Sequence, residues 1–365
     1  MMKAVGFVKE RQSNFEILRI IAMFCIVLGH SMTHGTLLNS SSDFSGINFF
    51  IFRFFAYSGK IGVYLFVLIT GYFMIYSNIS IKKVVKLWLP VVFWSVFLTI
   101  FIGIFINQLS YKEVVMSFLP IVFNRYWFVS TYIFLYLLIP FINKSLLNLN
   151  IRQEILICVL GFFIIVPSNY LYGNNLNSWL MSFCFTYSIG AIIRKRELLK
   201  RKKTRIFRRV FLGLGLIGNS INSIIITYAR NSTPVLNKLS IFLQKETVFC
   251  LFVALSLFII FGTVTIPYNR LINTIASATF GIYLIHDNSK MEYLLWIKIF
   301  RMNQLSSSLL ISIFYVLFCT ITIFMVCSML ELIRRKIFGK IENKAVTFVE
   351  TSVKKYINRF CEKGE

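Results

Sequence analysis

The sequence predicts an all-α, polytopic membrane helical bundle of about ten transmembrane helices, with both termini in the cytosol. Three observations carry that expectation. Of the 365 residues, 57% are hydrophobic and only 15% charged, against roughly 25% charged in soluble domains, and the mean hydropathy is +0.73. Apolar runs long enough to cross a hydrocarbon core of about 30 Å recur along the whole chain. The 39 Lys and Arg residues gather mostly on one side of those runs, which sets the orientation.

The expected spans are residues 15–34, 58–76, 87–106, 126–142, 154–170, 177–193, 210–228, 246–264, 277–297 and 306–330. The first follows a basic, signal-like start. No small-residue cleavage site follows it and further spans do, so it reads as an uncleaved span. Between Gly35 and Gly59 a Ser/Asn-rich stretch leads into INFFIFRFFAY, expected as an interfacial or re-entrant helix over the outer mouth. Around the second span, Gly59, Gly62 and Gly71 permit close helix approach, and Thr70 can bond within its own helix or to a neighbour. Lys82, Lys83 and Lys86 end this unit on the cytosolic side as positive-inside anchors. The fourth span opens on Trp127 at the outer interface and is expected to kink or end near Pro140.

The sixth span is followed by the basic run RKRELLKRKKTRIFRR, Arg194 to Arg209, and the tenth by a basic tail. Placing both in the cytosol divides the chain into a membrane-embedded domain, 1–333, and a cytosolic tail, 334–365. Within the tail, Lys336 to Phe360 has the pattern of an amphipathic helix lying on the inner surface. The net charge of +25 is accounted for by orientation and by anionic lipid headgroups, so membrane lipids and no nucleic acid are the expected partners. Seven cysteines fall in spans or in the tail without a CxxC spacing, as structural thiols do. No repeat relates the two halves, which argues against a transporter built from duplicated halves.

The chemistry concentrates in the first span. Arg19 and His30 are eleven positions apart, which returns them to within roughly 20° of one helical face, about 16 Å apart along the axis. Ionisable groups in hydrocarbon are costly and face a bundle interior or an aqueous cavity, so the pair marks a functional site. His30 is a candidate general base, an imidazole being suited to take a proton from a hydroxyl near neutral pH. The alternative is a packing histidine bonded across the bundle. Arg19 can pair with Glu16 one turn below, snorkel to headgroups, or receive a phosphate-bearing cofactor from the cytosol. His30 and His34 form an HxxxH pair, but no third ligand is near in sequence and His34 is placed at the outer surface, so no metal is expected. In the ninth span His286 sits beside Asp287, Lys290 and Glu292; Asp287 can orient an imidazole or pair with Lys290.

Read in order, ILRIIAMFCIVLGH with its Arg and His, LFVLITGYF, YWFVSTYIFLYLLIPF and SATFGIYLIHD resemble the acyltransferase 3 family of integral membrane O-acyltransferases, over nearly all of the spans. The resemblance implies transfer of an acyl group, commonly acetyl, from cytosolic acyl-CoA to a hydroxyl of a carbohydrate or lipid-linked glycan. It implies that His30 is the essential histidine and that Arg19 helps to hold the donor. Thr70 stands where the family often has Ser before the Gly, and lysines at 83 and 86 stand where arginines are frequent. Many relatives carry an extracellular hydrolase-like domain after the spans. None follows here, so a stand-alone polysaccharide O-acetyltransferase is expected.

On this reading acyl-CoA, the donor substrate, binds with no permanently held cofactor. Its phosphates lie near Arg19, Lys82, Lys83 and Lys86, and its arm threads toward His30 in a bacterial cytoplasmic membrane. His30 either deprotonates the acceptor or carries the acyl group itself, and His286 orients substrate or stabilises the oxyanion. The competing classes are a transporter or flippase of a glycan or lipid precursor, in which buried Arg and His form a path, and a membrane sensor with a basic recruiting tail.

Overall fold

In lipid every backbone N–H and C=O has to be satisfied within its own segment, so an apolar run that enters hydrocarbon becomes a helix. A computed structural model describes residues 12–35, 37–38, 46–77, 79–106, 109–171, 176–229, 248–305 and 308–361. It contains α1 (Ser13–His34), α2 (Gly46–Met74), α3 (Ile81–Phe105), α4 (Tyr111–Phe118), α5 (Trp127–Asn148), α6 (Ile151–Leu171), α7 (Leu176–Lys195), α8 (Thr204–Ala229), α9 (Val248–Thr263), α10 (Arg270–His286) and α11 (Leu309–Cys361). Among the described residues there is no strand, and the chain is an all-α, multi-pass membrane protein. Six helices, α1, α2, α3, α5, α8 and α11, are long and apolar enough to cross a bilayer, and α9 is a shorter apolar helix.

Four boundaries differ from the sequence expectation, each for a local reason. The stretch expected as an interfacial element is the first part of α2, which begins at Gly46 and runs on unbroken. Arg53 within it lies with its guanidinium 5.3 Å from the centre of the Tyr57 ring. The Ser/Asn-rich residues 39–45 lie outside the described residues. Pro140 neither ends nor shortens α5, which continues to Asn148. The ninth span is not one helix over 277–297: α10 stops at His286, a short turn covers Ser289–Glu292, and a π-helical segment follows over Tyr293–Ile299.

The fourth difference is that α11 runs from the last apolar run into the tail as one helix of 53 residues. Arg334 and Arg335 do not end it because Glu331, one turn back, takes both: Arg334 Nε lies 2.9 Å from one carboxylate oxygen and Arg335 Nε 2.7 Å from the other. Trp94 Nε1 of α3 donates to the same carboxylate at 2.8 Å, and Gly281 of α10 leaves it room, since a Cβ there would fall 2.3 Å from Glu331 Cγ. Six cysteines among the described residues are free thiols.

Helix α2 packs on α1, α7, α8 and α9, and α1 packs in turn on α10 and α11. The α1/α2 and α2/α7 crossings are backbone to backbone, as the glycines at 59, 62 and 71 suggest. A Cβ on Gly62 would lie 2.3 Å from the Ala22 carbonyl oxygen, and one on Gly71 would lie 2.1 Å from that of Tyr187. Thr70 makes both expected bonds, to Phe66 O at 2.8 Å and to the Tyr132 hydroxyl at 3.1 Å.

Helices α1 and α10 run parallel and in register. Ser13 Oγ at the start of α1 accepts from the Asn269 backbone N–H, across 256 residues of sequence, at 2.9 Å. Asn269 is the N-cap of α10 and accepts from Ile272 N at 3.0 Å. The same offset of 256 residues recurs between His30 and His286 at the far end.

The glycine crossings generate a stability test. Gly71→Val should lower the melting temperature in detergent by several degrees or abolish folding, because the neighbour it meets is backbone. Gly339→Ala, where a Cβ meets nothing within 4 Å, should be neutral or raise stability by up to about 1 kcal/mol.

Candidate active site

The register between α1 and α10 decides which side chains meet. At the end of the bundle remote from Ser13, the three histidines of the chain converge with one carboxylate. His30 Nδ1 lies 3.0 Å from His286 Nε2 and 3.1 Å from Asp287 Oδ1. His34, one turn beyond His30, places Nε2 at 3.7 Å from the same Asp287 oxygen and Nδ1 at 3.4 Å from Glu292 Oε2. Asp287 therefore orients imidazoles; Lys290 pairs instead with Glu113 of α4 at 2.8 Å. Glu292 lies outside the spanning helices, and burial holds its carboxyl above the usual range, with the charge of His34 opposing that shift.

Hydrogen bonding fixes the tautomers. His286 Nδ1 lies 2.6 Å from the Ile282 carbonyl oxygen, an acceptor, so Nδ1 carries the proton and Nε2 presents a lone pair. That lone pair and Asp287 Oδ1 both face His30 Nδ1, which is thereby the protonated nitrogen. His30 Nε2 is left as the basic atom, backed by a carboxylate that stabilises the imidazolium formed when it takes a proton, as in the His–Asp pair of hydrolytic triads.

The corner that carries His286 and Asp287 is clamped. Asn288 Nδ2 donates to the Tyr126 hydroxyl at 2.9 Å, and that hydroxyl donates to Leu284 O at 3.1 Å. Asn288 Oδ1 also accepts from Lys290 N at 3.1 Å, starting the next turn at once. Both Tyr126 and Asn288 are buried. The π-helical segment that follows is a form frequent at functional sites.

A cavity of about 530 Å³ opens beneath the cluster. Arg19, Met23 and Ile26 line it from α1, Thr70 from α2, Tyr132 from α5 and Tyr283 from α10. Arg19 pairs with Glu16, which also faces the cavity, and lies 5.9 Å from the Phe73 ring centre. The lining ends at Ile26 and Tyr283, one turn short of His30 and His286, and the Tyr283 ring stands edge-on to His286 at 6.3 Å.

Of the lysines named from the sequence, Lys83 lines a smaller adjoining cavity that shares Leu87 and Tyr132 with the first. The charge of Lys82 acts on Glu350 of α11, and Lys86 is exposed. The sequence reading did not single out Tyr126, Asn288 or Lys60. The last lies 4.6 Å from the Trp127 ring centre. For Asn288 a local signal existed, since HDN directly after an apolar helical run is a stop followed by an N-cap.

Compared with known proteins, the chain matches the acyltransferase 3 family model, described as an acyltransferase domain, over residues 12–330. No curated protein and no solved structure matches.

The clamp yields a direct test. Tyr126→Phe strips the partner from two buried polar groups, and thermal or denaturant unfolding should show a loss of about 1–3 kcal/mol.

Proposed function

The chain belongs to this acyltransferase family, and from that premise we propose that it transfers an acyl group, acetyl by preference, from cytosolic acyl-CoA to a hydroxyl of a surface polysaccharide or lipid-linked glycan. The observation that carries the proposal is the stripe on α1: Arg19, Met23 and Ile26 line one cavity, and His30 follows at the next turn with Nε2 available as base. In a bacterial cytoplasmic membrane, Arg19 lies at the cytosolic end of that stripe and the histidine cluster at the outer end.

The guanidinium of Arg19 receives a phosphate of the donor, exchanging part of its pairing with Glu16 for charge-assisted bonds to phosphate oxygens. Lys83, in the adjoining cavity, adds a second cation, with Lys82 and Lys86 contributing longer-range attraction at the cytosolic rim. The pantetheine arm follows the cavity, and the thioester passes Ile26 and Tyr283 to reach His30. His30 Nε2 takes the proton of the acceptor hydroxyl as the oxygen attacks the thioester carbonyl carbon. The carbon–sulfur bond then breaks, and the proton held on Nε2 leaves with the CoA thiolate. Transfer by way of an acyl group on Nε2 balances in the same way in two steps.

Asp287 stabilises the transient imidazolium. Both ring nitrogens of His286 are already engaged, by Ile282 O and by His30, so His286 acts as a positioning residue.

Purified protein with acetyl-CoA and a glycan acceptor should release CoA thiol. His30→Gln should lower turnover by at least about 10²-fold while the protein remains folded; unchanged turnover would overturn the assignment. Arg19→Ala should act chiefly through a raised KM for acyl-CoA, with a smaller effect when a dephosphorylated thioester donor is used. Ser277→Trp, which projects an indole into the cavity, should raise the same KM without altering acceptor dependence.

A further inference from the structure

Imidazole nitrogens and a carboxylate oxygen converge at the top of α1 and α10. His286 Nε2 is a lone pair because Nδ1 donates to Ile282 O. Asp287 Oδ1 is an acceptor. His34 Nδ1 lies 3.4 Å from Glu292 Oε2, and His34 Nε2 lies 3.7 Å from Asp287 Oδ1.

Such a group of atoms can hold a divalent cation. The ligand atoms of His30, His34 and Asp287 all lie within 4.8 Å of one another. Ligands at about 2.0–2.2 Å from one metal stand about 3.3 Å apart, close to the 3.1 Å between His30 Nδ1 and Asp287 Oδ1. His34 has to move in by about an ångström. The surroundings match as well. Histidine ligands commonly donate their other N–H to a carboxylate or backbone carbonyl, which fixes the ring. His34 has Glu292 in that place. The third donor that the HxxxH pair lacked in sequence is Asp287, supplied from α10.

We propose that His30, His34 and Asp287 form a site for a zinc-class divalent metal, reached through the partly open His34–Glu292 rim, and that its occupancy switches acyl transfer off. Two imidazoles and one carboxylate suit zinc and its first-row neighbours, and they are a poor set for magnesium or calcium, which take oxygen ligands. The inhibitory part rests on the acyltransferase reading. A metal on His30 Nδ1 displaces the proton there, and the neutral ring then carries its hydrogen on Nε2, the atom that has to accept one. A bound ion and a working base are mutually exclusive on that ring.

The test uses the full chain purified in detergent, stripped with a chelator, exposed to ZnCl2 or CoCl2 and desalted. Wild-type protein should retain one zinc per chain, give the intense visible absorption of four-coordinate cobalt, and lose transfer activity at zinc concentrations where magnesium has no effect. His34→Ala and Asp287→Asn should each weaken zinc retention by about tenfold or more, with their melting temperatures confirming a folded chain. In His34→Ala, whatever activity remains should resist zinc. Failure of wild-type protein to retain zinc, or equal retention by the doubly substituted chain, would overturn the site. Zinc retained without inhibition would overturn the switch alone. Zinc retained by a protein that never releases CoA thiol would leave the site standing and remove the acyltransferase mechanism.

Discussion

The in-register pairing of two parallel helices is the constraint on which the site depends. Helices α1 and α10 are tied at one end by Ser13 and Asn269 and meet at the other as His30 and His286, with the same sequence offset of 256 residues at both ends. Because both helices rise by about 1.5 Å per residue, fixing one end fixes the other. A slip of one residue would turn His286 by about 100° and take its imidazole off His30. The buried hydroxyl of Ser13 is thus a register mark for a contact at the opposite end of the helix.

Close packing keeps that pairing unique. The α1/α2 and α2/α7 crossings are set by glycines that meet backbone, which leaves little freedom for a helix to rotate. On the other side Glu331 of α11 presses its carboxylate into the space over Gly281 and gathers Trp94, Arg334 and Arg335. A buried carboxylate without those partners would cost several kcal/mol. With them it fixes where α11 crosses α3 and α10.

Much of this was legible in the chain, for reasons that can be named. Apolar runs declare helices in lipid because no other structure satisfies their backbone, and Arg19 and His30 declare a site because hydrocarbon tolerates neither without cause. The HxxxH pair and the HD dipeptide were visible too. Their meeting was not, because it is fixed by a register between segments far apart in sequence. The ending of α10 at His286 was obscured by the apolar residues that follow it, which belong to a π-helical segment. The extension of α2 back to Gly46 was hidden by Arg53, whose charge rests on a tyrosine ring of its own helix. The length of α11 was masked in the same way, since hydropathy falls at Arg334 while the helix continues on a local carboxylate.

The parallel course of α1 and α10 has an electrostatic result of its own. Each helix ends within a turn of the histidines, His34 closing one and His286 the other, so both aim the negative pole of their peptide dipoles at one small volume. Each pole is equivalent to roughly half an electron charge and favours a nearby cation by about 0.3–1 kcal/mol, more where water is scarce. An antiparallel pair would have cancelled that field. The backbone alone therefore makes this corner of the bundle a resting place for positive charge, before any side chain is counted.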